Sequence, residues 1–387
     1  MGTIRERSKG VYEVRVFLGR DPVTNTPRQV SRTVRGGIRA ARAKVAELEL
    51  DAAQGKMAGT DVTVAVLLER YFDFLDHKGL SPQTVHGYRR YARVHLVPAF
   101  GQRPVRKLTG WDLDAFYTAM ASPAPGSDGS KRGRGPATIR QAHAIMSGAL
   151  GQAVKWGWVP VNAAKMASPP KVPRANITVP TAAQVRALLT AADRRDAILG
   201  RMVMLAAITG ARRGELCALR WSDVDLDAGT VSIARSVLDL PGRVEEKDTK
   251  SHAGRTVSLG EAGVTLLTLH RKDTSRVASE AGTQLRADGF VFSTTSFDGT
   301  SLVRPDHLTA FFNRVRDELG YDGLTLHGLR HFVATQLASR GDVSARTLAG
   351  RLGHADASVT MRVYAAFFPA ADVEAAAHMD RVLAEGN

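Results

Sequence analysis

The sequence predicts a multidomain, mainly α-helical protein with small β-sheets. Three observations lead to that class. The 387 residues exceed what one ordinary hydrophobic core organises, the first forty alternate as a half-exposed sheet does, and most of the remainder spaces its apolar residues three and four apart. The expected layout is an N-terminal β-sheet plus helix (residues 1–58), an all-α domain (59–168) and a mixed α+β domain (169–387).

Val11-Tyr12-Glu13-Val14-Arg15-Val16-Phe17-Leu18 alternates in the way a half-exposed sheet does, a turn is due at Asp21-Pro22, and Gln29-Val30-Ser31-Arg32-Thr33-Val34 alternates again. After Gly36-Gly37 the pattern becomes helical to about Ala53. Helices are predicted next over 64–76, 82–95, 111–121 and 137–156, with Ser81 as N-cap and Pro82 at the first helical position of the second. Residues 126–135, rich in Gly, Ser, Lys and Arg, read as a polar loop. Ser168-Pro169-Pro170-Lys171-Val172-Pro173 is a stiff joint, because proline fixes φ and removes a donor.

Thr181-Ala182-Ala183-Gln184 then reads as a capping box that opens the third domain. Helices are predicted there over 182–192, 197–209, 213–219, 306–319, 327–340, 345–352 and 358–367, and short strands over 230–233, 243–246, 255–259 and 290–292. A final amphipathic helix, 371–384, has the character to pack on its own chain or on a neighbour.

Charge narrows the partners. The net charge is +15, and residues 1–44 hold eleven Lys and Arg against Glu6, Glu13 and Asp21, an excess of +8. Neutralising phosphates with such groups releases condensed counterions, so nucleic acid is the leading partner. A basic sheet backed by one helix suits insertion into a DNA groove, the alternative being a solvated basic face with no partner. Arg89, Arg90, Arg93, Arg103, Arg106 and Lys107 offer a second phosphate-facing surface on the helical domain. No run of about 18 apolar residues and no signal-peptide pattern occurs, so a cytoplasmic protein is expected. The lone Cys217 forms no intramolecular disulfide and reads as a small buried apolar side chain.

Five separated pieces of the last domain carry the chemistry: Thr209-Gly210-Ala211-Arg212-Arg213-Gly214-Glu215; Lys250-Ser251 with Arg255-Thr256-Val257; His327-Gly328-Leu329-Arg330-His331; Leu352-Gly353-His354; and Thr360-Met361-Arg362-Val363-Tyr364. In order and content they resemble the catalytic domain of tyrosine recombinases, the lambda-type phage integrases and their relatives. Specificity comes from the agreement of all five; a lone His-x-x-Arg means little. The resemblance implies that residues 1–58 form an arm-binding domain and 59–168 a core-binding domain. Ala211 and Phe332 depart from the family's usual residues without touching a catalytic group.

The chemistry is consistent with the resemblance. Breaking a phosphodiester without metal requires fixed donors on a pentavalent phosphate, the work of Arg212 and Arg330. His327, three residues before Arg330 on one helix, serves as general acid or base. Lys250 protonates the leaving 5′ oxygen, Lys247 being the competing choice, and the family's Lys-[Ser/Thr] ahead of an Arg favours Lys250. His354 donates to a non-bridging oxygen, Glu215 orients Arg212, His331 is structural or supports a neighbouring site residue, and Tyr364 is the nucleophile. The expected activity is integration, with excision, by a phage or mobile-element recombinase acting as a homo-tetramer on core and arm sites, with an excisionase and a DNA-bending host factor as possible partners. Cofactors and metals are expected to be none, since an aryl phosphate conserves the bond energy and no P-loop is present. The alternatives are an Xer-like resolving recombinase and a catalytically silent DNA-binding protein.

Overall fold

The computed structural model describes residues 2–20, 27–53, 62–123, 133–173, 179–248, 254–340 and 343–353. Two compact units result, Met1–Arg174 and Ala175–Asn387.

The first unit opens with an antiparallel sheet, β1 (Thr3–Ser8), β2 (Val11–Arg20) and β3 (Pro27–Arg35), in that spatial order. Alternation dictates its two faces. Val14 and Val16 point inward and form a small core with Ala41 and Leu48 of α1 (Ile38–Ala53), which leaves Glu13 and Arg15 on the opposite face. Strand β1 escaped the sequence reading because its TIRERS stretch contains one apolar residue, Ile4, and pairing with β2 defines it.

A separate core belongs to the helices α2 (Val64–His77), α3 (Pro82–Tyr91), α4 (Val97–Phe100), α5 (Gly110–Ala121) and α6 (Pro136–Lys155). Leu67, Phe72, Leu113, Ile145 and Met146 are among its fully buried members. A π-turn at Ala92–Leu96 joins α3 to α4, so the helical run predicted over 82–95 extends to Phe100. Two expectations need correction. Ser81 occupies the N-cap position of α3 but its side chain makes no capping bond. Arg89 is engaged by Glu69, Asp73 and Asp76 and lies over the Phe72 ring, so its charge is neutralised within the domain.

In the second unit Thr181 and Gln184 form the reciprocal capping box on α7 (Ala182–Arg195), worth about 1 kcal/mol to that helix. Helix α8 (Ala197–Thr209) is apolar on nearly every side and runs through the core beside Leu188, Val231, Phe312 and Leu329. The short α9 (Arg213–Cys217) follows, and Gly214 lets it approach the strand that holds Ser236: a Cβ there would lie 2.7 Å from Ser236 Oγ. Strands β4 (Val224–Asp225), β5 (Thr230–Ile233) and β8 (Arg255–Ser258) make one antiparallel sheet; β6 (Arg235–Leu240) and β7 (Arg243–Asp248) make a hairpin. Helices α10 (Glu261–Glu280), α11 (Pro305–Glu318), α12 (Leu326–Ala338) and α13 (Ala345–Leu352) complete the described part.

Helix α10 and strand β6 were not predicted. Helix α10 lacks a side-chain cap and carries Thr265, Thr268 and Thr274, which mask its period; burial of Leu266, Leu267 and His270 selects it. The strand expected over 290–292 reduces to a single bridge, Arg220 with Phe290, the segment being buried as an irregular chain. Cys217 is buried as expected, and burial pushes its thiol up to about 12. The segments 358–367 and 371–384, expected to be helical, lie outside the described residues. Among the described residues no helix is long and apolar enough to cross a membrane.

Candidate active site

The site is assembled from the ends of helices. At the end of α8 the buried Thr209 hydroxyl donates to the Leu205 carbonyl (2.7 Å) and accepts from the Ala211 amide (3.2 Å), which tightens the exit turn. Gly210 is left-handed, with φ +67°, and a Cβ there would stand 2.8 Å from Leu352. This turn delivers Arg212 to the N-cap position of α9.

Glu215, one turn on, is buried and accepts from the Arg212 amide (2.8 Å) and from Arg212 Nη1 (2.8 Å). Such a carboxylate needs a second cation, which Arg255 supplies: its Nη2 and Nη1 donate to the two Glu215 oxygens at 2.6 and 3.2 Å. Burial raises the Glu215 pKa, but the hydrogen bond and charge of Arg255, reinforced by Arg212, win and hold it below the usual glutamate value. Arg255 also donates from Nε to the Arg351 carbonyl (2.9 Å), and Arg212 Nη2 reaches the Gly353 carbonyl (3.0 Å). Gly353 is left-handed, at φ +67°, and a Cβ there would meet the Arg255 guanidinium at 2.7 Å. Three of the sequence pieces are thus tied around one carboxylate.

The fourth comes from α12. Thr325 accepts from the Gly328 amide (3.1 Å) and starts a helix whose first turns carry His327, Arg330 and His331. Arg330 is buried and donates from Nη1 to the Gly210 carbonyl (2.8 Å), two residues before Arg212. The rings of His327 and His331 meet edge to face, 4.8 Å apart and at 87°. His327 keeps an exposed edge, yet burial of the rest and the positive charges of His331, Arg330 and Arg212 lower its pKa to about 4. His331 is lowered by burial and by Arg330.

The structure therefore brings together Arg212, Glu215, His327 and Arg330. Lys250, His354 and Tyr364 lie outside the described residues. The competing Lys247 sits half-buried on β7 opposite Ser236. Two positions had no assigned part in the sequence reading: Arg255, and Arg351, whose Nη1 and Nη2 donate to the Ser258 and Ile208 carbonyls (both 3.1 Å). Arg255 stood inside one of the five pieces, but its partner is forty residues away, a distance that no local pattern spans.

Chemically, the described cluster gathers three guanidiniums, two imidazoles and one carboxylate already shared between two of the cations. That balance suits an anion rich in non-bridging oxygens.

Comparison with known proteins agrees. Residues 179–370, about half of the chain, match the phage integrase family. An integrase of Streptomyces ambofaciens is 27% identical over 341 residues, 84% of this chain and 81% of the relative. The tyrosine recombinase XerC of Xanthomonas campestris pv. campestris is 26% identical over 309 residues, 78% of this chain and 84% of the relative. Among solved structures, the Tn1549 transposon integrase in complex with transposon right end DNA superposes with a TM-score of 0.66 at 18% identity, over 83% of this chain and all of that one.

Fold and matches together define an enzyme that cleaves and rejoins DNA through a tyrosine intermediate. The chain belongs to the phage integrase family and is a tyrosine recombinase.

Proposed function

We propose that this recombinase is the integrase of a phage or integrative mobile element, joining its DNA to the host's and also excising it. One observation carries the reading: a basic three-stranded sheet backed by a helix precedes the helical and catalytic parts. The integrase relative and the likeness to a transposon integrase support it. The matching XerC favours a second reading, a resolving recombinase of the Xer kind. In the integrase reading residues 1–58 hold arm sites, 59–168 the core site, and 169–387 the chemistry. Duplex DNA is the partner, in the cytoplasm of a bacterial host. Four copies act together, with the 371–384 segment available to link neighbours, and an excisionase and a bending host factor set direction.

Deleting residues 1–53 tests the two readings. An integrase should still cleave a core duplex but lose joining between attachment-site partners by an order of magnitude or more. Undiminished joining would favour the Xer kind.

In the proposed mechanism Arg212 and Arg330 offer fixed donors to the non-bridging oxygens of the scissile phosphate and strengthen as charge develops there. The Tyr364 oxygen bonds to phosphorus as the bond to the 5′ oxygen breaks, leaving a 3′-phosphotyrosine and a 5′ hydroxyl. His327 takes the phenolic proton, Lys250 gives one to the departing oxygen, and His354 donates to a non-bridging oxygen. Glu215, fixed by Arg255, aims Arg212. Attack by a 5′ hydroxyl of another strand reverses the step and regenerates the phenol, so neither ATP nor metal is required for the balance.

The low pKa of His327 has a measurable consequence. A group with a pKa of about 4 stays neutral, and able to accept a proton, throughout the ordinary assay range. Cleavage measured as kcat/KM should stay level on its acid side down to about pH 5. A limb assignable to His327 near the ordinary histidine value, about 6.5, would contradict a neutral base.

A further inference from the structure

The open face of the amino-terminal sheet contains a carboxylate where a DNA-binding surface least tolerates one. Glu13 lies on the central strand, paired with Arg5 on one side and Thr33 on the other. It is well covered: its side chain is 13% exposed, whereas those of Arg7 and Arg15 are 51% and 42% exposed.

What covers it is ordered. One Glu13 oxygen accepts from Arg7 Nε (2.8 Å) and forms an ion pair with Arg7 Nη2 (2.5 Å). The other accepts from Arg15 Nε (3.1 Å) and Nη2 (3.0 Å) and from the Ser31 hydroxyl (2.8 Å). Four hydrogen bonds, with the Arg7 ion pair beside them, match the roughly four lone-pair sites of a carboxylate, so Glu13 has no capacity left for a base. The hydrogen bonds from Ser31, Arg15 and Arg7 hold its pKa down to about 2, which keeps it ionised. Arg7 sits at the register shift between Glu6 and Ser8, a bulge of the sort that re-aims a side chain. Each arginine gives Glu13 one edge of its guanidinium; among the described residues, neither Nη1 is engaged.

We propose that Arg7 and Arg15 are the base-reading pair of this sheet, each held by the shared Glu13 buttress so that its outer fork meets a guanine O6 and N7 in the major groove of duplex DNA. This rests on the reading of the sheet as the holder of arm sites. The fork matches guanine, the commonest target of arginine in that groove, and a pinned side chain loses less freedom on binding than a loose one. Double-stranded RNA is excluded by its deep, narrow major groove. Arg5, which none of the Glu13 bonds restrains, is left for phosphate.

The test is selection of randomised duplex DNA by the full chain, as wild type, Arg5→Ala, Arg7→Ala, Arg15→Ala and Glu13→Gln, with thermal melting to show that each sheet remains folded. The wild type should enrich a motif in which Arg7→Ala and Arg15→Ala each lose preference for one guanine, roughly tenfold or more. Arg5→Ala should weaken binding without changing the motif. Glu13→Gln is the sharper arm, because removing a negative charge raises affinity for any DNA, whereas loosening the pair lowers the specific-to-nonspecific ratio. A fall of about tenfold in that ratio, with nonspecific binding unchanged or tighter, is expected. Glu13→Gln tightening all sequences alike, with the same motif, would overturn the buttress. If no motif depends on any residue of the sheet, the arm-site reading itself fails.

Discussion

Glu215→Gln is expected to destabilise the carboxy-terminal unit by about 3 kcal/mol, because breaking a buried ion pair leaves its partner's charge uncompensated. The partner is Arg255, whose side chain is 9% exposed and whose two Nη groups both point to Glu215. An amide offers one acceptor oxygen where four donor contacts now converge, so at least one guanidinium loses its position. The melting transition of that unit should fall by roughly 6–12 °C for its size. Because the folded pKa of Glu215 lies below the unfolded value of about 4.3, its contribution is complete above that pH and is lost as pH falls through the folded value. Wild type and variant should therefore converge in acid, as read by denaturant melts from pH 7 downward. Equal stability at neutral pH would show that Glu215 is not the counter-ion of Arg255.

Arg212→Lys is expected to act on rate instead. Cleavage of a nicked core duplex under single-turnover conditions should slow by about 10²–10³, the usual loss when one preorganised transition-state donor is removed. Lysine keeps the charge but not the fork, and the fork is what lets Arg212 bond Glu215 through Nη1 and the Gly353 carbonyl through Nη2 at once. The side chain is 32% exposed, so the fold tolerates the change and the affinity for DNA should move by much less than the rate. A parallel loss of binding, with cleavage of bound DNA unaltered, would assign Arg212 to binding alone.

Much of this was legible in the sequence, for reasons that particular residues show. Alternation at Val14 and Val16 and three-and-four spacing in α2 and α6 are local signals, as are the Thr181–Gln184 box and the glycines at 210 and 353. Arg212, Glu215, His327 and Arg330 were recognisable by their surroundings, and the fold brings them together. What stayed hidden is tertiary. Strand β1 exists because β2 accepts it, α10 because the core selects one face of a threonine-rich helix, and the Arg255–Glu215 pair because two distant segments meet. The misreading of Arg89 has the same origin, since acids on α2 lie across from α3 and claim its charge.

The most direct measurement is a suicide-substrate assay without added metal: nicked DNA carrying the attachment core, incubated with wild type and with Tyr364→Phe, followed by a denaturing gel and peptide mapping. The expected result is a covalent adduct on the peptide containing Tyr364 that the phenylalanine variant does not form. DNA binding with no adduct in either protein, or an adduct mapped to another residue, would contradict the mechanism.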